Sequence, residues 1–156
     1  MASDKGRYRV YLAGYLGNHD SQHHAIYVDT DIVQGKRWGW LFHVTGNLLS
    51  GMTFEEKYAI YPLLSASGES IQQLGWISYN KFPEGIREVC EGIPPPKSQY
   101  TLASKRLFPN EPIRHCQHWV REAMDALFVA GVVEPLGPEE KGESETMKDD
   151  KIVLAD

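Results

Sequence analysis

Cysteine is scarce in this chain: Cys90 and Cys116 are the only two in 156 residues. Two thiols make no disulfide framework, so the sequence reads as that of a protein from a reducing, cytoplasmic compartment. Long apolar runs are missing as well. None approaches the roughly 18–20 residues that a membrane-spanning helix requires, and Met1–Gly6 lacks the apolar stretch of a secretory signal. There is no basic excess: the net charge is −5, and no stripe of Lys and Arg runs along the chain. That argues against nucleic acid or an anionic membrane surface as partner. The pairs Lys36-Arg37 and Lys105-Arg106 read as solvated surface. No internal repeat is present. His23, His43, Cys116 and His118 are of metal-ligating types, but no Cys-x-x-Cys pair supports zinc, so neither a metal nor a cofactor is expected.

What remains is a chain with 42% hydrophobic and 24% charged residues. That composition suits one globular domain large enough to bury a core without staples. The first half reads as strands. From Arg7 to Leu16, Tyr8, Val10 and Leu12 alternate with Arg7, Arg9 and Tyr11, the period of two that a strand imposes. Gly17 to Ser21 is a polar turn cluster. His23 to Thr30 forms a second strand, with His23, Ala25 and Tyr27 on one face and His24, Ile26 and Val28 on the other. Asp29 to Arg37 reads as a loop centred on Gln34-Gly35-Lys36, a hairpin signal. Trp38 to Thr45 makes a third strand, with His43 on the face of Gly39 and Leu41. Met52 to Ile60 and Ser70 to Ser78 are the expected fourth and fifth.

Beyond Tyr79 the pattern becomes helical. Pro83 to Gly92 has proline at its start, glycine at its end, and Ile86, Val89 and Cys90 at helical spacing. Cys90 therefore reads as a small buried hydrophobe. Pro94-Pro95-Pro96 cannot be helical. The clearest helix runs from Cys116 to Ala130, with Trp119, Val120, Ala123, Met124, Leu127 and Phe128 as its apolar stripe and Gly131 as its stop. Val132 and Val133 are expected to add a last buried contact. From Gly137 the sequence turns polar and acidic. Residues 137–156 are expected to be a tail without fixed structure, attached to a single domain over 1–136. Segregated strands and helices point to an α+β fold, an antiparallel sheet packed against the Cys116 helix.

The chemistry-bearing residues gather around Cys116. Its position in the first turn of the strongest helix would favour a thiolate, because unpaired N–H groups and the helix dipole point at it. Arg114, His115 and His118 are neighbours able to add positive charge. A cysteine nucleophile needs a base oriented by a third group. His23 and His24 are adjacent on a strand and face opposite ways, so only one can serve. If the second and third strands form a hairpin, His23 and His43 can meet on one face.

These segments resemble known ones. Gln22-His23-His24-Ala25-Ile26-Tyr27-Val28 is similar to the His-x-x-Ile-Tyr strand of the NlpC/P60 superfamily. It is closer still to the Gln-His-Trp-Ala-Ile-Tyr-Val strand of the lecithin:retinol acyltransferase-like and phospholipase/acyltransferase branch. Gly39-Trp40-Leu41-Phe42-His43-Val44 resembles that branch's next strand, which ends in a second histidine. Cys116-Gln117-His118-Trp119-Val120 resembles its Asn-Cys-Glu-His-Phe-Val nucleophile helix. The order histidine, histidine, cysteine matches the circularly permuted papain-like arrangement, which the PPPDE peptidases share. The segments are also similar to those of uncharacterised fungal proteins. The resemblance implies a papain-like fold, Cys116 as nucleophile, His23 as base and His43 as orienting group. The chain departs from the pattern at His24 (for Trp), His115 (for Asn) and Gln117 (for Glu). It also has a longer hairpin and lacks a hydrophobic C-terminal anchor, and these differences speak against lipid substrates.

The resulting expectation is acyl-group chemistry through a thioester: a hydrolase or acyltransferase acting on a small-molecule or peptide amide, ester or thioester, or on a carrier-bound acyl group. The rival readings are a catalytically idle binding module on the same fold and a cysteine isopeptidase of small protein modifiers. A reactive thiol at a helix start predicts that Cys116 is alkylated by iodoacetamide well below pH 8 and much faster than Cys90. Peptide mapping by mass spectrometry after timed labelling checks this; equal rates for the two cysteines would remove the nucleophile.

Overall fold

The computed structural model describes residues 6–17 and 22–147. The polar turn expected over Gly17 to Ser21 lies outside them except for Gly17, as do most of the N-terminal segment and the chain beyond Met147. Seven strands and two helices make an α+β fold. The strands are β1 (Arg7–Tyr15), β2 (His23–Val33), β3 (Lys36–Asn47), β4 (Gly51–Ile60), β5 (Gly68–Ser78), β6 (Glu134–Pro135) and β7 (Ser144–Thr146); the helices are α1 (Glu84–Glu91) and α2 (Cys116–Val129). The sheet is antiparallel, in the order β4-β3-β2-β1-β5-β6, with β7 also paired to β5.

Alternation decides what each face buries. Val10, Ile26, Val28, Phe42 and Val44 lie on one face, and α2 packs on it with Trp119, Val120, Ala123, Met124 and Leu127; Ile86 and Cys90 of α1 join this core. The indole N–H of Trp119 donates to the carbonyl of Ile93, so the largest buried side chain also ties α2 to the end of α1. Val133 closes the same core, as its apolar pair predicts. The other face carries Tyr11, Ala13, Ala25, Tyr27, Leu41 and Ile71, covered by Tyr61 and Leu63.

The β2–β3 connection differs from the loop expected over Asp29 to Arg37. Gln34 and Gly35 both adopt positive φ (54° and 79°), which reverses the chain in two residues, so the strands continue to Val33 and Lys36. Their register slips once, between Asp29 and Asp31. The bulge leaves Thr30 over, and its buried hydroxyl has no hydrogen-bond partner among the described residues. Arg37 is likewise not the solvated residue expected. It pairs with Asp29 at 2.8 Å, donates to the Tyr11 hydroxyl at 2.8 Å, and lies over the Tyr61 ring at 4.0 Å.

Up to Met147, the acidic segment expected to lack fixed structure packs against the sheet. Ser144–Thr146 pairs with Ser70–Gln72 of β5. The Tyr11 hydroxyl donates to Glu143 at 2.7 Å, the Tyr61 hydroxyl to Glu145 at 3.2 Å, and the Trp76 indole N–H to Glu140 at 3.1 Å. Composition alone misread these carboxylates, because their partners lie on strands far away in sequence. Glu143 is held below the usual carboxylate range despite its burial, by the Tyr11 hydroxyl and the Arg37 and Arg9 guanidiniums. Truncation after Leu136 should therefore cost at least ~1 kcal/mol, a fall of roughly 2–4 °C in Tm for a chain of this size. Thermal unfolding of the truncated and full chains tests this, and an unchanged Tm would mean that the segment contributes nothing to stability.

Candidate functional site

Cys116 is the first residue of α2, and His115 is its N-cap in an extended conformation. The backbone N–H of Gln117 donates to His115 Nδ1, and the backbone N–H of His115 donates to His118 Nδ1. The two imidazoles thus form a capping box of the kind usually built from Ser or Thr and Glu. A nitrogen that accepts a hydrogen bond holds a lone pair and not a proton, so Nδ1 of each ring is engaged with the backbone. Burial and the adjacent His118 hold the His115 pKa below its ordinary value. Arg114 is likewise engaged, its guanidinium forked onto Glu122 at 2.7 and 3.1 Å. Cys116 itself lies in the first turn of the helix, where backbone N–H groups lack intrahelical acceptors.

The histidines divide as strand alternation requires. His23 Nε2 lies 2.8 Å from His43 Nδ1, and His43 Nε2 lies 2.8 Å from Glu55 Oε1. Glu55 stands directly across the β3–β4 ladder from His43. His43 is buried, 6% exposed, whereas the Glu55 side chain is 43% exposed, so the row leads from solvent inward to His23. The Tyr15 ring packs beside His23, its partner in the β1–β2 ladder. Burial, aided by His43 and His24, depresses the His23 pKa to about 4, with Glu55 opposing and Lys57 reinforcing the shift. His43 is lowered too, by burial, while Glu55 again acts upward. At neutral pH both rings are therefore uncharged.

His23 and Cys116 meet at one end of the sheet. A cleft of about 460 Å³ is lined by Leu16 and Gly17 after β1, Gln22 and His23 at the start of β2, Gly46 to Leu48 at the β3–β4 turn, Met52, and His115 and Cys116. His23 is the first residue of its strand. Among the described residues no hydrogen bond joins the Cys116 thiol to either histidine; the His23 ring bonds to His43. His24 faces α2 and lines a separate cavity of about 210 Å³ with Gln117, Val120 and Arg121. The Gln117 amide donates to the carbonyl of Gln22 at 2.9 Å and ties the helix start to the β2 entry. Among the described residues, no group of three or more His, Cys, Asp and Glu is arranged to hold a metal ion, and no helix is long and apolar enough to cross a membrane.

Sequence reasoning named Cys116, His23 and His43 and missed Glu55. The signal was present only as β4 alternation, and nothing in the sequence alone sets Glu55, rather than Glu56, opposite His43. Glu56 points to the other face and forks onto Arg87 of α1 at 2.8 Å.

The chain matches the Family of unknown function (DUF6540) over residues 10–134 and belongs to that family. No curated protein and no solved structure matches it.

The depressed histidine has a consequence for stability. Its unfolded-state pKa is near 6.5 and its folded value is about 4. Between these values the unfolded chain binds more protons, so stability is complete above pH 6.5 and is lost as pH falls toward 4. Tm should decline across that window, and His23→Gln should make the decline shallower. Unfolding curves from pH 7 to 4 decide it; an identical slope for the variant would show that His23 does not carry the effect.

Proposed function

We propose that the protein is a cysteine-dependent acyl-transfer enzyme, a hydrolase or acyltransferase acting through a thioester, on a permuted papain-like arrangement. The observation that carries this reading is the cleft lined by both Cys116 and His23, with His23 bonded in turn to His43.

The Cys116 sulfur attacks a carbonyl carbon. A carbon–sulfur bond forms, and the carbonyl electron pair moves onto oxygen. The His23 Nε2 is engaged with His43, so Nδ1 is the nitrogen free to take the thiol proton and return it to the departing amine, alcohol or thiol. His43 orients that ring. The backbone N–H of Cys116 lies in the first turn of α2, where helix N–H groups lack intrahelical acceptors, and can donate to the developing oxyanion. Water or an amine then resolves the thioester. The substrate is a small molecule or peptide carrying an amide, ester or thioester. A neutral base with a pKa near 4 is a weaker proton acceptor than an ordinary imidazole but stays available in mildly acidic solution.

The second reading is a binding module that uses the same cleft without chemistry. It is favoured by the lack of a hydrogen bond between Cys116 and His23 among the described residues, although catalytic bonds are often long before substrate arrives.

The pH–rate profile of Cys116 alkylation separates the two. His23→Ala should slow Cys116 alkylation at pH 7 at least roughly tenfold, because the base that takes the thiol proton as the sulfur attacks is lost. His43→Asn should have an intermediate effect and His24→Ala little. Intact-mass screening against ester, thioester and peptide panels should detect a thioester adduct on Cys116. A large effect from His24→Ala alone would move the base to the other face of β2. No effect from any of the three, together with no adduct, would leave the binding module as the function.

A further inference from the structure

We infer that Glu55 is a positioning residue which, acting through His43, holds His23 as its Nε2–H tautomer and so leaves Nδ1 as the basic nitrogen of that ring. This inference rests on the proposed acyl-transfer reading.

The argument runs inward from the carboxylate. An ionised Glu accepts hydrogen bonds and cannot donate them. Glu55 Oε1 lies 2.8 Å from His43 Nε2, so that nitrogen must carry a proton. His43 is neutral at pH 7, because burial lowers its pKa, so its Nδ1 holds a lone pair. His23 Nε2, 2.8 Å away, must then be the donor. A neutral His23 has one proton, and that proton is now assigned to Nε2. Two short hydrogen bonds in series thus convert a half-exposed carboxylate into control over a ring in the cleft, and the burial of His43 keeps water from competing for the middle of the row. The titratable groups that act on His23 are His43, His24, Glu55 and Lys57, and of these Glu55 alone favours the protonated ring. Glu55 therefore also opposes the loss of basicity that burial imposes on the base.

Glutamine at this position removes the constraint without changing shape. Its amide presents either an oxygen or an N–H to His43, so neither tautomer of the row is compelled. Aspartate keeps the charge on a shorter arm. Glu56→Gln is the control, since the neighbouring carboxylate belongs to the Arg87 pair on the opposite face.

The experiment is nitrogen-15 NMR of the histidine rings of the full chain at pH 7, alongside the pH–rate profile of Cys116 alkylation by iodoacetamide. The parent should show His23 and His43 as Nε2–H tautomers. Glu55→Gln should mix the tautomers of both rings and slow alkylation at pH 7 about twofold or more, because rings in the other tautomer carry a proton on Nδ1 and cannot accept one there. Glu55→Asp should recover most of the rate, and Glu56→Gln should alter neither readout. Unchanged tautomers in Glu55→Gln would overturn the inference. Mixed tautomers with an unchanged alkylation profile would reduce Glu55 to a structural contact. If His23→Ala also leaves the profile unchanged while Glu55→Gln still mixes the tautomers, the acyl-transfer reading fails, and the role inferred for Glu55 toward the thiol fails with it.

Discussion

The register between β2 and β3 is the constraint on which the site depends. The turn at Gln34-Gly35 sets Val33 opposite Lys36. A regular ladder counted from that pair would place Ile26 opposite His43, and directly opposed residues share a face. His43 would then lie on the face of His24, Ile26 and Val28, inside the apolar core beneath α2. The one-residue bulge between Asp29 and Asp31 instead sets Ile26 opposite Phe42. This flips every side chain beyond it to the other face. Phe42 and Val44 enter the core with α2, and His43 joins His23. A single extra residue, Thr30, thus decides which of two adjacent histidines has a partner. The cost is visible in its buried hydroxyl, which has none among the described residues.

The two faces of the sheet are stabilised by different physics. Beneath α2 the contacts are apolar, and Trp119 and Phe54 pack ring to ring. The opposite face holds tyrosines whose hydroxyls must be satisfied, and the acidic segment supplies acceptors to Tyr11 and Tyr61. Tyr11 illustrates the linkage: its hydroxyl receives a hydrogen bond from Arg37 and gives one to Glu143. Arg37 in turn reaches Asp29, beside the bulge. The same polar cluster therefore holds the segment after Gly137 and braces the strand where the register shifts. It is a part-buried network in which Tyr11, Arg37, Asp29 and Glu143 are each paired, so none of them bears the cost of an unsatisfied polar group.

Charge at the site is arranged by subtraction. The helix start has imidazoles used as hydrogen-bond acceptors, and its nearby arginine is forked onto a glutamate. The histidine row is kept neutral by burial. The two cysteines show the contrast between a core thiol and a cleft thiol. Cys90 is fully buried, its pKa pushed up to about 12 by burial, with Glu56 and Glu91 adding to the shift. Cys116 stands at the mouth of a helix and lines a cleft.

The local chemistry of the chain was legible in its residue order. Alternation in β1, β2 and β3, the apolar stripe of α2, the Pro83 and Gly92 boundaries of α1 and the burial of Cys90 follow from steric periods of two and 3.6 residues, which need no knowledge of neighbours. So does the division of His23 from His24. Tertiary structure alone decided whatever depends on residues distant in sequence. The bulge that pairs His43 with His23, the placement of Glu55 behind them, and the docking of an acidic segment onto Tyr11, Tyr61 and Trp76 all belong to this group. Each rests on a register or a long-range hydrogen bond. A period shows which face a side chain takes relative to its immediate neighbours in the chain, but it cannot show how far one strand has slipped along the next.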